Sequence, residues 1–101
     1  VAIYVVEFRY RVDRAGREPF HPAHAAYLHA LTERGALLLG GPLTGDNAGL
    51  LVYRTADRAE LDRVLAEEPY VTGGVVADTV VREWQPGKGS LAAAPAAGGR
   101  S

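Results

Sequence analysis

The opening segment, Val1 to Tyr10 (VAIYVVEFRY), constrains the fold more than any other. Its β-branched and aromatic content predicts a strand. Alternate residues fall on opposite faces: Val1, Ile3 and Val5 lead to Glu7 and Arg9 on one, and Ala2, Tyr4, Val6, Phe8 and Tyr10 form the other. Both faces start apolar, so both must be covered, at least along the first half of the strand.

Arg11 to Pro19 is charged and carries Gly16, which reads as a loop. Pro22 to Arg34 predicts a helix. Pro22 suits a first helical turn, Gly35 the position just past the end, and Ala23, Tyr27, Ala30 and Leu31, with Leu28 alongside, recur at helical spacing. Ala36 to Leu39 reads as a short strand broken by Gly40-Gly41-Pro42. Thr44 to Ala48 is a turn, and Gly49 to Arg54 a strand that forms a hairpin with the preceding one. Ala56 to Glu67 predicts a second amphipathic helix, with Asp57 near its start and Leu61, Val64 and Leu65 as its buried stripe. Glu68-Pro69-Tyr70 ends that helix, because the residue before proline avoids helical geometry. Val75 to Trp84 is the last strand.

The order strand, helix, strand, strand, helix, strand is the split βαβ arrangement of ferredoxin-like α+β folds. It predicts a four-stranded antiparallel sheet with two helices on one face. The other face keeps apolar residues, and a second copy is the simplest cover, giving a homodimeric α+β barrel. The domain is expected over residues 1–85. Residues 86–101, rich in Gly, Ala and Pro with Leu91 the one large aliphatic, are expected to be a flexible tail.

Composition removes several function classes. Eleven basic against twelve acidic residues give a net charge of −1, which argues against a nucleic-acid partner. There is no cysteine, so disulfides, cysteine-ligated metals and thiol chemistry are excluded. No apolar run reaches the roughly 18 residues of a membrane span. No basic-then-apolar leader opens the chain, so a cytoplasmic location is the expectation.

Three motifs, in order, carry a family resemblance. His21-Pro22-Ala23-His24-Ala25-Ala26-Tyr27-Leu28 resembles the Arg-x-x-His-x-x-x-Leu helix signature of the YciI-like (YCII-related) family. Leu37-Leu38-Leu39-Gly40-Gly41-Pro42 is similar to its Leu-Leu-x-x-Gly-Pro segment. The run from Glu68 through Pro69, Tyr70, Val71, Thr72, Gly73 and Gly74 to Val75 resembles its Asp-Pro-Tyr/Phe-x-x-Ala-Gly block. A last strand ending Arg82-Glu83-Trp84 also fits, so the resemblance spans roughly Val1 to Trp84. It implies a dimeric α+β barrel with a pocket at the sheet–helix junction and a His–Asp dyad. One relative is a dehydrochlorinase of a chlorinated hydroxyquinol, and wider neighbours of the fold include muconolactone isomerase and cofactor-independent monooxygenases. Three positions depart from the family pattern. His21 stands where the family has arginine, Glu68 where it has aspartate, and Ala48-Gly49 where it often has Gly-Ser.

The catalytic candidates are therefore His24 and Glu68. An imidazole can accept and return a proton near neutral pH, and a carboxylate can orient it and stabilise its cation. Against this stand two plainer readings: His24 as a partly buried histidine packing at a helix start, and Glu68 as an exposed carboxylate beside Glu67. The substrate-binding candidates are His21, Gly41, Pro42 and Tyr70. Gly40-Gly41-Pro42 reads first as a tight turn that bends the strand, and Tyr70 and Trp84 more often as core or interface aromatics than as substrate stackers. His29 reads as surface. Arg9, Arg11 and Arg54 stand at strand ends, where arginines are usually solvated but could meet an anion. His21, His24 and a carboxylate lack a standard metal-binding spacing, so neither metal nor other cofactor is expected.

The expectation for function is a small cofactor-free enzyme. A His general acid/base would promote elimination, isomerisation or cyclisation of a small organic substrate, phenolic or polyketide-like. The alternatives are a non-catalytic small-molecule-binding or structural dimer, and a cofactor-independent monooxygenase.

Overall fold

The opening segment forms β1 (Ala2–Tyr10), and it lies inside the sheet with partners on both sides. A computed structural model describes residues 1–92. After β1 come a one-turn helix α1 (Arg14–Arg17), a 3-10 turn (Glu18–Phe20), helix α2 (His21–Glu33), β2 (Leu37–Pro42), β3 (Ala48–Thr55), α3 (Arg58–Ala66), a short α4 (Pro69–Thr72) and β4 (Val76–Trp84). The strand order is β2-β3-β1-β4, antiparallel throughout, as the ferredoxin-like reading requires.

The two faces of β1 divide the molecule. Tyr4, Val6 and Phe8 are buried and meet Leu51 and Tyr53 of β3, Leu31 of α2, and Leu61 and Val64 of α3 in one core. On the other face Ile3 pairs across strands with Trp84, Val5 with Val52, and Leu39 with Val52. Directly paired residues share a face, so these side chains line the side that carries no helix. Leu39 is 59% exposed, Trp84 48% and Val80 42%.

Three local readings need correction. Residues 11–19 are not all loop, because the Asp13 carboxylate accepts from the Gly16 amide and caps α1. Gly40-Gly41-Pro42 does not break the strand. Gly40, Gly41 and Pro42 stay in register with Leu51, Leu50 and Gly49. β2 is an edge strand, and there proline's missing N–H can face away from the ladder. The buried stripe of α2 is also rotated. Ala23 and Ala30 are exposed, and His24, Tyr27, Leu28 and Leu31 face inward. The second helix is Arg58–Ala66, capped by the Asp57 carboxylate on the Glu60 amide.

Of the proposed tail, residues 86–92 carry no helix or strand, with Leu91 exposed, and residues 93–101 lie outside the described residues. Among the described residues no helix is long and apolar enough to cross a membrane.

Tyr53 is completely buried, and its hydroxyl has no protein hydrogen-bond partner among the described residues. Burial pushes its pKa well above the ordinary tyrosine range, with the Glu68 charge adding to the rise. A hydroxyl that gains no partner contributes little. Tyr53→Phe is therefore expected to unfold within about 1 kcal/mol of the wild type, or slightly above it. A loss of several kcal/mol in urea titration would show that the hydroxyl is held.

Candidate active site

The site forms where the first turn of α2 meets the turn between α3 and α4. Pro22 sits in the first turn of α2 and so fixes where the helix begins. His24 then falls at the head of the inward stripe, seven residues before the buried Leu31. Pro69 does the corresponding work for Glu68. It holds Glu68 in an extended conformation (φ −69°, ψ 127°) and starts α4 behind it, so that Glu68 caps that helix.

The Glu68 side chain is fully buried, and its Oε1 lies 2.6 Å from His24 Nδ1. The same Oε1 accepts from the Tyr70 amide at 3.1 Å. With Glu68 as a carboxylate, Oε1 is the acceptor in both bonds and Nδ1–H the donor. That fixes the ring's tautomer and leaves Nε2 as the nitrogen able to exchange a proton. The Tyr70 ring stacks on the imidazole at 3.7 Å and 3°, and the Tyr10 ring meets Tyr70 edge-on at 5.7 Å. The His24 side chain keeps 13% of its surface exposed.

That surface opens onto a cavity of about 440 Å³, within the range of small-molecule sites. Its lining brings together His21, His24, Gly41, Pro42 and Tyr70. Glu68 stands behind His24, buried rather than exposed beside Glu67. The longer glutamate thus reaches the imidazole. Tyr10 and Tyr70 both have hydroxyl pKa values raised above the ordinary value, chiefly by burial, with the Arg17 charge opposing the rise. They stay protonated at neutral pH and so offer no phenolate to accept a proton there.

The other candidates lie elsewhere. His29 is on the surface, 3.2 Å from Glu33. Arg9 pairs with Glu7 and Asp46, Arg11 donates to the Gly74 and Val76 carbonyls, and Arg54 is exposed. Trp84 lies on the open sheet face, away from the cavity. The His21 and His24 rings are 6.2 Å apart, and among the described residues no three His, Asp or Glu side chains gather as a metal site would need. Sequence reasoning missed Arg14, Arg17 and Tyr10, which also line the cavity. The signal for the two arginines was Asp13, a helix cap at the head of a segment read as loop. Gly49 was missed too: a Cβ there would come within 2.6 Å of the Tyr10 hydroxyl.

Solved structures similar to this chain include the following two. One is 5-chloro-2-hydroxyhydroquinone dehydrochlorinase (TftG) from Burkholderia phenoliruptrix AC1100, in complex with 2,5-dihydroxybenzoquinone. It is 22% identical, with a TM-score of 0.73 over 82% of this chain and 93% of that one. The other is protein Atu4242 from Agrobacterium tumefaciens, 11% identical, with a TM-score of 0.56 over 92% of this chain and 100% of that one. At these identities the likeness speaks for the fold. No curated protein matches the sequence at a significant level. Residues 3–85 match the YCII-related domain, from the first strand through the last and including both His24 and Glu68, and the chain belongs to that family.

Proposed function

We propose that the protein is an acid–base enzyme acting on a small organic substrate by elimination, isomerisation or cyclisation. His24 is its general acid/base and Glu68 the residue that orients it. The observation that carries this reading is the 2.6 Å contact between His24 Nδ1 and a fully buried Glu68, on an imidazole that borders a cavity. Burying a carboxylate is costly, and of the two oxygens here Oε1 is paired while Oε2 has no hydrogen-bond partner among the described residues, so this buried group is held at a cost. Glu68 also caps α4, and its aim at the far nitrogen of a cavity-lining histidine is what favours the catalytic reading over a non-catalytic binding module. In an elimination, Nε2 takes the proton of an acidic C–H bond. That bond's electron pair becomes the new π bond, and the leaving group departs with its own pair. The imidazolium so formed faces the Glu68 carboxylate through Nδ1–H. His21, Gly41, Pro42 and Tyr70 form the walls that hold the substrate. The dehydrochlorinase of similar fold supports a phenolic substrate bearing a leaving group. The scheme calls for no cofactor.

The test is turnover of such a substrate by the wild type and by His24→Gln, with oxygen uptake followed alongside. Product formation without oxygen uptake, lost in the variant, is the expected result. Wild-type turnover in a folded variant rejects the role of His24, and stoichiometric oxygen uptake favours a monooxygenase.

The open sheet face supports a homodimer in which Leu39, Val80, Trp84 and their neighbours meet a second copy. Light scattering at micromolar concentration is expected to give about twice the chain mass of 10.7 kDa. Val80→Lys is expected to shift the mass towards one chain, since it places a charge in the apolar patch. A wild-type mass of one chain would remove the dimer.

A further inference from the structure

The arginines of the chain are not equivalent. Arg9 and Arg58 pair with carboxylates, and Arg11 is taken up by two backbone carbonyls. Arg14 and Arg17, three residues apart on the single turn of α1, both line the cavity. Among the described residues neither forms an ion pair with a carboxylate.

Arg17 is nonetheless fixed. Its Nη1 donates to the Val12 carbonyl at 3.1 Å and to Asn47 Oδ1 at 2.7 Å, and its guanidinium carbon lies 4.0 Å over the Tyr10 ring. Both protons of Nη1 are thereby used, and the guanidinium also lies near the Tyr70 hydroxyl, so what a ligand can meet is the Nε–Nη2 edge, the fork that matches a carboxylate or other planar oxyanion. The stacking on Tyr10 holds the group without neutralising it. The lining contains one carboxylate, Glu18, against these two guanidinium groups. The guanidinium groups thus stand at the cavity surface, while the second carboxylate nearby, Glu68, is buried and turned to His24. Tyr10 meets Tyr70, and Tyr70 lies on the His24 ring, so the cation and the proton acceptor face one cavity across two aromatic rings.

We propose that Arg14 and Arg17 form an anion subsite, and that the ligand of this cavity is a small organic anion: a carboxylate, phenolate or enolate whose charged oxygen meets the arginines while its acidic carbon faces His24. The placement of the carbon rests on the acid–base reading above, whereas the preference for an anion can be measured without turnover. The subsite gives the substrate its orientation, because only one end of the molecule is drawn to the guanidinium groups. It also offers a place for negative charge that develops on oxygen as the proton leaves carbon.

Two probes of one shape test this. 2,5-Dihydroxybenzoquinone is a vinylogous carboxylic acid and is ionised at neutral pH, whereas 2,5-dimethoxybenzoquinone has the same ring and no acidic proton. Calorimetric titration of the full chain is expected to show the ionised ring binding at least about tenfold tighter, with the preference shrinking as salt is raised. Arg14→Ala and Arg17→Gln are expected to weaken the ionised ring by about fivefold or more each and to leave the neutral ring unchanged. Arg17→Lys should recover part of the loss, since it keeps the charge but not the fork. Arg14 is exposed and its side chain makes no hydrogen bond among the described residues, so its variant carries the test if Arg17→Gln fails to fold. Equal binding of the two rings, or an unchanged preference in both arginine variants, overturns the subsite and leaves the role of His24 standing. Failure of the folded wild type to bind either ring overturns the subsite and the small-molecule pocket together.

Discussion

His24→Gln is expected to lower kcat/KM by about 10²- to 10⁴-fold, the usual worth of a positioned general acid/base. Its melting temperature should stay close to that of the wild type. Glutamine is similar in reach, and its amide can still donate to Glu68 Oε1, so the buried oxygen keeps a partner and α4 keeps its cap. What it lacks is a nitrogen that can take a proton. If His24 and Glu68 act as one unit, the double variant His24→Gln/Glu68→Gln should be scarcely slower than His24→Gln alone. Steady-state kinetics of the four forms decide this. Losses that multiply would show that Glu68 acts separately from the imidazole.

Glu68→Ala is expected to combine a rate loss with the largest stability loss of any single change at the site. It strands the His24 Nδ1–H in a buried setting, removes the acceptor of the Tyr70 amide and empties space in the interior. An unsatisfied buried donor costs about 1–3 kcal/mol and a lost helix cap about 1 kcal/mol. A total of about 2–4 kcal/mol should lower the melting temperature by roughly 10–25 °C in a domain of this size. Glu68→Gln keeps an acceptor and the volume, so it should lose less stability while still losing rate, because an amide does not stabilise an imidazolium as a carboxylate does. Thermal unfolding by circular dichroism separates the three proteins. An unchanged melting temperature in Glu68→Ala would mean that the buried contact contributes nothing to the fold.

The architecture was legible because each half of the chain alternates cleanly between period-two and helical spacing, and because proline and glycine mark the boundaries. Pro22, Gly35 and Asp57 all mark helix ends in the structure. The site was legible in part. His24 lies three, four and seven residues before Tyr27, Leu28 and Leu31, and Glu68 lies four and seven residues after Val64 and Leu61. Both polar residues therefore sit on apolar stripes, where a solvated side chain has no reason to be. The neighbouring Glu67 obscured this for Glu68, since two adjacent glutamates look alike in sequence and only the turn at Pro69 sends one inward. The stripe of α2 was misjudged because alanine packs equally well inside or out, so Ala23 and Ala30 carried no information about phase. Arg14 and Arg17 were missed for another reason, although Asp13 marked a helix cap before them. A single capped turn has too few residues to show a period, and its contribution to the cavity comes from tertiary placement.

The stacking of Tyr70 on His24 has a stereochemical corollary. One side of the imidazole is sealed by a ring that lies parallel to it, so a molecule can reach Nε2 only along the edge, with its bulk on the uncovered side. In the proposed reaction a carbon presented in that way is expected to exchange its hydrogen on a single face. Any chirality created or destroyed by that reaction would then follow from where an aromatic plane stops the substrate, together with the end the arginines hold, since the imidazole is itself flat and has no handedness to impart.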